Sequence, residues 1–93
     1  MIVVRLRVFG ALKQYLGSDR FEVELRTGAT LRDLLDLVDA RWGDELPSQF
    51  WDAKAKRFPG PILIMTNNVD IHDDKMPLSD HQEIFIIEHV AGG

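Results

Sequence analysis

Residues 83–88 of the chain read EIFIIE, a short apolar run between two glutamates. Alternate residues of a β-strand point to opposite faces of its sheet. A final strand over these residues would therefore direct Ile84 and Ile86 to one face and Phe85 and Ile87 to the other. Because both sets are apolar, this stretch predicts a strand that needs an apolar neighbour on each face.

The same alternation identifies the other strands. In residues 2–8 an aliphatic side chain stands at every second position, which is the pattern of a half-buried strand. Three further strands are predicted, at residues 21–26, at 62–66 and, as a short edge strand, at 69–71. Asn67 and Asn68 separate the last two, and asparagine tolerates the left-handed dihedrals of a tight turn. Residues 11–16 are predicted to form only a turn-like connector.

One long helix is predicted between the second and third strands. Thr30 precedes it and Asp33 follows three residues later, as in a capping box. Apolar residues recur at helical spacing from Leu31 to Trp42, and Gly43 ends the helix. The order β-β-α-β-β-β indicates an α+β fold, in which a mixed sheet of about four to five strands packs on one main helix.

A single helix covers only one face of such a sheet. On the other face, strand alternation places Phe85 and Ile87 beside Leu63 and Met65 of the third strand. Monomers seldom expose a contiguous apolar patch of this kind, so we expect a docking surface for a protein partner. In the alternative, the loop at residues 44–61 folds over this face and buries it. That loop carries the large apolar side chains Leu46, Phe50, Trp51 and Phe58.

Composition excludes several classes of function. The 93 residues are 45% hydrophobic, enough for one core, and we expect a single domain over residues 1–93. The absence of cysteine excludes disulfides, thiolate metal sites and a cysteine nucleophile. A formal charge of -4 disfavours nucleic-acid binding. No secretory signal is visible and no apolar run is long enough to span a membrane, so we expect a cytoplasmic protein.

The side chains do not indicate catalysis or metal binding by the chain alone. Ser79, Asp80 and His81 are consecutive, so they cannot converge as a nucleophile, a base and an orienting group. His72 lies among aspartates, but in a turn-rich stretch without the spacing of a metal site. We therefore expect no metal and no cofactor bound to this chain.

The last five residues form a tail of decreasing size. After the final strand come His89, Val90, Ala91, Gly92 and Gly93. Glycine lacks a Cβ, so an extended diglycine can enter a channel that is too narrow for side chains. Chain ends also fray without any function. Composition alone does not decide between a functional, flexible tail over residues 89–93 and an inert one.

The final loop, strand and tail together, LSDHQEIFIIEHVAGG at residues 78–93, resemble the C-terminal signature of a known family. This is the MoaD/ThiS family of ubiquitin-like sulfur carriers, and the ending is most similar to that of the molybdopterin synthase small subunit. The matching residues are Leu78, Asp80, Glu83, Val90, Ala91, Gly92 and Gly93. The predicted element order also resembles the β-grasp fold of that family. Glu88 and His89 stand where members commonly have Pro-Pro, and His81 and Gln82 replace a common Gly-Asp.

The resemblance implies that the carboxylate of Gly93 is the reactive group. An E1-like adenylating enzyme would activate it with ATP and Mg²⁺, and a sulfur donor would then convert it to a thiocarboxylate. The tail residues Val90, Ala91 and Gly92 would enter the partner's channel. The residues that would contact the partner from the open face of the sheet are Leu63, Met65, Phe85 and Ile87.

The destination of the sulfur is left open by the resemblance. The molybdopterin synthase large subunit is the acceptor that the Val-Ala-Gly-Gly ending favours, and thiamin or cysteine synthesis are alternatives. The activated Gly93 could also form isopeptide bonds with lysines, as ubiquitin-like modifiers do. A further alternative is a β-grasp interaction domain with an inert tail. In none of these is the chain a self-sufficient enzyme.

Overall fold

The sheet and the long helix follow the predicted order, with one added element. The computed structural model describes residues 1–60 and 62–88. Its elements are β1 (Ile2–Phe9), α1 (Leu12–Leu16), β2 (Arg20–Leu25), α2 (Leu31–Trp42), β3 (Ile62–Thr66), β4 (Val69–Asp70) and β5 (Glu83–Glu88). None of the helices in these two ranges has both the length and the apolar character needed to cross a bilayer.

The five strands form a mixed sheet in the order β2-β1-β5-β3-β4. β5 lies at its centre, parallel to β1 and antiparallel to β3. The outer pairs, β1 with β2 and β3 with β4, are antiparallel hairpins. A parallel pair needs a long crossover connection, and the chain between β1 and β5, which contains α2, supplies it. The predicted α+β architecture is confirmed.

Helix α2 has the predicted bounds, Leu31–Trp42. At its start the Thr30 N–H donates to Asp33 Oδ2 at 2.8 Å, as a capping box requires. This hydrogen bond holds the pKa of the Asp33 carboxyl below its ordinary value. The helix buries an apolar stripe in the core, made of Leu31, Leu34, Leu35, Val38 and Trp42.

The hairpin between β3 and β4 turns at Asn67 and Asn68, as predicted. Their φ angles are 52° and 63°, and positive φ at both central residues is what a type I′ turn requires. Thr66 and Val69 pair directly across the turn. The tolerance of asparagine for left-handed dihedrals thus fixes the register of the edge strand β4.

The connector predicted at residues 11–16 is a short helix, so the prediction of a turn was wrong. Helix α1 spans Leu12–Leu16, and these two leucines, four positions apart, are both buried. Gly17 ends the helix in the left-handed region with a φ of 89°. Five residues are too few to show a helical period in the sequence. Burial of the two leucines therefore decides the local conformation.

The segment at residues 44–60 packs beside the helices and leaves the opposite face of the sheet open. Trp51 is buried, and its Nε1–H donates to Asp39 Oδ1 of α2 at 2.8 Å. The Phe50 ring lies 5.3 Å from the ring of Tyr15 in α1. The large apolar side chains of the segment all join the core: Leu46, Phe50, Trp51 and Phe58. The alternative in which this segment covers the outer face of the sheet is therefore wrong.

The loop before β5 is tied to the start of β1 through Asp80. The Val3 N–H donates to Asp80 Oδ1 at 2.8 Å, and the Val3 carbonyl accepts from the His81 N–H at 2.6 Å. The hydrogen bond from Val3 holds the pKa of the Asp80 carboxyl below its ordinary value. Asp80 therefore stabilises the fold most strongly in its ionised form.

We expect the protein to lose stability in acid, and Asp80→Asn to reduce this loss. A carboxyl whose pKa in the folded state lies below its ordinary value of 3.8 stabilises the fold above that pH. The contribution disappears as the pH falls through the folded-state pKa. Urea unfolding between about pH 7 and pH 2 measures it, with Asp44→Asn, at an exposed carboxylate, as the control. An Asp80→Asn protein with an unchanged pH dependence would contradict this role.

Candidate functional site

On the open face of the sheet, opposite α2, five apolar side chains lie side by side. The register places Ile87 of β5 between Phe9 of β1 and Leu63 of β3, and Phe85 next to Met65. We call these five residues the apolar patch. The other two isoleucines of β5 are buried in the core, which confirms the predicted alternation. The four patch residues predicted from the sequence are thus brought together, each of them half-buried.

Phe9 belongs to the patch although the sequence prediction ended its strand at Val8. β1 continues to Phe9, whose side chain is 43% exposed. Its ring stacks on that of Phe85, with centroids 6.1 Å apart and planes inclined by 17°. One further step of the period-two pattern places Phe9 on the same face as Arg5 and Arg7, so the sequence did contain the information.

Arg7 lies where the apolar patch meets a charged region of the same face. Its guanidinium carbon is 6.0 Å from the ring centroids of both Phe9 and Phe85. Its Nη1 also pairs with Glu83 Oε2 at 3.5 Å. A cation held over an aromatic ring at a partly exposed site contributes about 0.5–1 kcal/mol. Arg7 therefore packs beside the two rings at the border of the patch.

The predicted reactive tail follows directly from the central strand. β5 ends at Glu88, and the neighbouring Ile87 belongs to the apolar patch. Residues 89–93, with the predicted site residues Val90, Ala91, Gly92 and Gly93, lie outside the described residues. Because β5 ends beside the patch, a partner that covers the patch also lies close to the start of the tail.

Gly10 makes room for the end of β5 where the chain turns from β1 into α1. Its φ is +89°, and a Cβ at this position would lie 2.9 Å from the Cβ of Glu88 and 2.8 Å from its Oε1. Glu88 Oε1 in turn accepts a hydrogen bond from the Ala11 N–H at 2.8 Å. The turn after β1 and the end of β5 are thus packed directly against each other.

The acidic loop after β4 forms contacts that support the fold. The Arg32 N–H donates to the Asp74 carbonyl at 2.7 Å, and the Arg32 guanidinium pairs with the Asp74 carboxylate at 3.5 Å. Asp73 Oδ1 accepts from the Lys75 N–H at 2.9 Å. Within residues 1–60 and 62–88, no group of three or more His, Asp and Glu side chains could hold a metal ion.

Comparison with known proteins relates this architecture to a family. Residues 6–93 match the model of the ThiS family. The chain belongs to the ThiS family. The resemblance to ubiquitin-like sulfur carriers that the C-terminal residues indicated is thereby confirmed. A search of curated proteins gives no significant match.

Solved structures share the fold of this ThiS family member. Small archaeal modifier protein 1 from Haloferax volcanii has a TM-score of 0.79 at 20% identity, covering 98% of this chain and 99% of that one. A protein assigned as molybdopterin converting factor subunit 1, from Pyrococcus furiosus, has 0.73 at 22% identity, covering 97% and 100%. A ubiquitin from Caldiarchaeum subterraneum has 0.57 at 14% identity, covering 99% and 98%. At these identities the likeness shows the fold, and the predicted ubiquitin-like β-grasp fold is confirmed.

We expect Gly10→Ala to destabilise the protein more than Gly17→Ala. Both glycines have a φ of +89°, so alanine introduces backbone strain of about 1–3 kcal/mol at either position. At Gly10 the new methyl group also collides with Glu88, whereas nothing lies within 4 Å of it at Gly17. Urea unfolding should show a further loss of about 1 kcal/mol or more at Gly10. Equal losses would mean that the contact with Glu88 is not formed in solution.

Proposed function

We propose that this ThiS family protein is a sulfur carrier whose Gly93 α-carboxylate is converted to a thiocarboxylate. The observation that carries the proposal is the family match, which extends to Gly93. The position of β5 supports it, because the strand leads from the apolar patch directly into the tail. The chain itself is then a co-substrate, and the catalytic side chains belong to its partners.

The proposed chemistry begins with activation of a poor electrophile. The α-carboxyl group has a reference pKa of about 3.5 and is ionised at neutral pH. A carboxylate oxygen of Gly93 attacks the α-phosphorus of ATP, held with Mg²⁺ by an E1-like adenylating enzyme, and pyrophosphate leaves. The product is an acyl-adenylate. Hydrosulfide supplied by a sulfur donor then attacks the carbonyl carbon, the C–S bond forms, and the C–O bond to AMP breaks. Loss of the proton from sulfur leaves the thiocarboxylate.

The apolar patch is proposed as the surface that binds the adenylating enzyme. Docking of the patch turns entry of the tail into an intramolecular step with a high effective concentration. Stacked Phe9 and Phe85 supply a rigid aromatic surface, the kind of contact that dominates interface energies. In this proposal the apolar patch recognises the adenylating enzyme, and the adjacent tail undergoes the reaction.

For the acceptor of the sulfur, we propose the large subunit of a molybdopterin synthase. The Val-Ala-Gly-Gly ending supports this choice, and so does the shared fold with the molybdopterin converting factor subunit from Pyrococcus furiosus. Thiamin and cysteine synthesis use the same carrier chemistry and are the alternative destinations. A gene for one of the three acceptor enzymes beside the gene for this chain would discriminate between them.

Protein modification is the second candidate function, and the shared fold with small archaeal modifier protein 1 favours it. In this reaction a lysine amine, in place of sulfur, attacks the acyl-adenylate, and an isopeptide bond forms as AMP leaves. Both functions require the same activation of Gly93. Conjugates that depend on Gly93 would identify the modifier, and a thiocarboxylate without conjugates would identify the carrier.

We expect sulfuration to depend strictly on Gly93. With a cognate adenylating enzyme, ATP, Mg²⁺ and a sulfur source, the intact protein should gain the mass of one oxygen-to-sulfur exchange, located at Gly93. Variants that lack Gly93, or that carry one additional alanine after it, should remain unmodified and should fold normally, because the last residues of a chain usually contribute little to stability. Mass spectrometry and thermal unfolding measure the two properties. Unchanged cellular function after Gly93 deletion would favour the interaction domain with an inert tail.

We expect Phe85→Ala and Ile84→Ala to separate partner binding from fold stability. These neighbours lie on opposite faces of β5, Phe85 in the patch and Ile84 fully buried. Phe85→Ala should weaken binding to the adenylating enzyme by about 1–4 kcal/mol and cost about 1 kcal/mol of stability. Ile84→Ala should cost about 2–5 kcal/mol of stability. Calorimetric titration and urea unfolding test this, and unchanged binding with a large loss of stability in Phe85→Ala would contradict it.

A further inference from the structure

Glu88 occupies the point at which the central strand loses its neighbour on one side. On the β3 side it still pairs with Ile62. On the β1 side the pairing runs as far as Phe9 with Ile87, because the chain then turns away at Gly10. The backbone of β1 thus holds β5 up to Ile87, one residue short of the strand's end.

The side chain of Glu88 makes the contact that the backbone of β1 does not. Its Oε1 accepts a hydrogen bond from the Ala11 N–H at 2.8 Å, between residues 77 positions apart in the sequence. Gly10 brings the turn close enough, since any Cβ there would collide with Glu88. A carboxylate acceptor makes this hydrogen bond stronger than one between neutral groups. The final residue of β5 is therefore fixed on both sides.

From this geometry we propose that Glu88 is a positioning residue that fixes the start of the reactive tail, a role that rests on the function proposed above. Residues 89–93 reach at most about 18 Å from their point of attachment. With Glu88 fixed, that point lies beside the patch that binds the partner. If the contact with Ala11 is lost, Glu88 is held only by its pairing with Ile62, the strand end frays there, and Glu88 must be ordered again in every activation step.

We expect loss of the Glu88 contact to lower kcat and to leave the affinity for the adenylating enzyme unchanged. Ordering one additional residue lowers the fraction of productive complexes by about fivefold to thirtyfold. The apolar patch is unchanged in such a variant, so the affinity for the adenylating enzyme is preserved. Glu88→Ala should therefore reduce kcat by this factor in ATP–pyrophosphate exchange and change KM by less than about twofold.

Three further variants test the hydrogen bond itself. Glu88→Gln keeps an oxygen acceptor at the same place and should recover most of the lost kcat. Ala11→Pro removes the N–H donor, and the φ of Ala11, -67°, suits proline; it should reduce kcat as Glu88→Ala does. Glu24→Ala, at an exposed glutamate on β2, is the matched control and should retain the kcat of the original protein. Amide hydrogen exchange of Ala11 should be slow in the original protein and in Glu88→Gln, and fast in Glu88→Ala.

The possible failures are distinguishable. If the original protein supports no exchange with any adenylating enzyme, the proposed function and this inference both fall. If the original protein is active and Glu88→Ala or Ala11→Pro retains its kcat, only the positioning role is overturned. A change confined to KM would place Glu88 in the docking surface and would also overturn the positioning role. Slow exchange of Ala11 in Glu88→Ala would show that the proposed hydrogen bond does not hold the turn.

Discussion

The parallel pairing of β1 with β5 is the interaction on which the rest of the structure depends. It joins the first and last strands of the part of the chain that the structure describes, at the centre of the sheet. Parallel strands need a long crossover. Here the intervening chain forms that crossover and contains helix α2 and the other strands. The pairing also aligns the carboxyl ends of both strands. The turn into α1 and the start of the tail consequently lie at the same edge.

The apolar residues of β5 lie on two faces of the sheet that have different surroundings. On one face, Ile84 and Ile86 are buried with α2 and with the segment at residues 44–60. On the other face, Phe85 and Ile87 meet Phe9 and the third strand and remain half-buried. Because a strand directs alternate side chains to opposite faces, one stretch of six residues supplies both the core and the patch. Fold stability and the partner binding proposed for the patch are thus assigned to neighbouring positions that can be changed separately.

The edge of the sheet where the tail begins shows how the fold serves the proposed chemistry. A short glycine-ended segment can reach an enzyme's active site only if its point of attachment is held near the docking surface. Here Gly10 brings the turn against the strand, and the Glu88 carboxylate binds the Ala11 N–H. A hydrogen bond between residues distant in the sequence thus holds the end of β5.

The sequence by itself determined the elements whose causes are local. Thr30 and Asp33 set the start of α2, Asn67 and Asn68 set the hairpin turn, and alternation predicted both faces of β5. The tertiary structure alone decided the helical form of α1, the position of Trp51 against Asp39, and the contact of Glu88 with Ala11. A capping box, a turn or a strand period involves residues a few positions apart, so its energy can be recognised in a short stretch of sequence. The other contacts join residues distant in the chain, and their energy exists only once the strand order and register have brought the partners together.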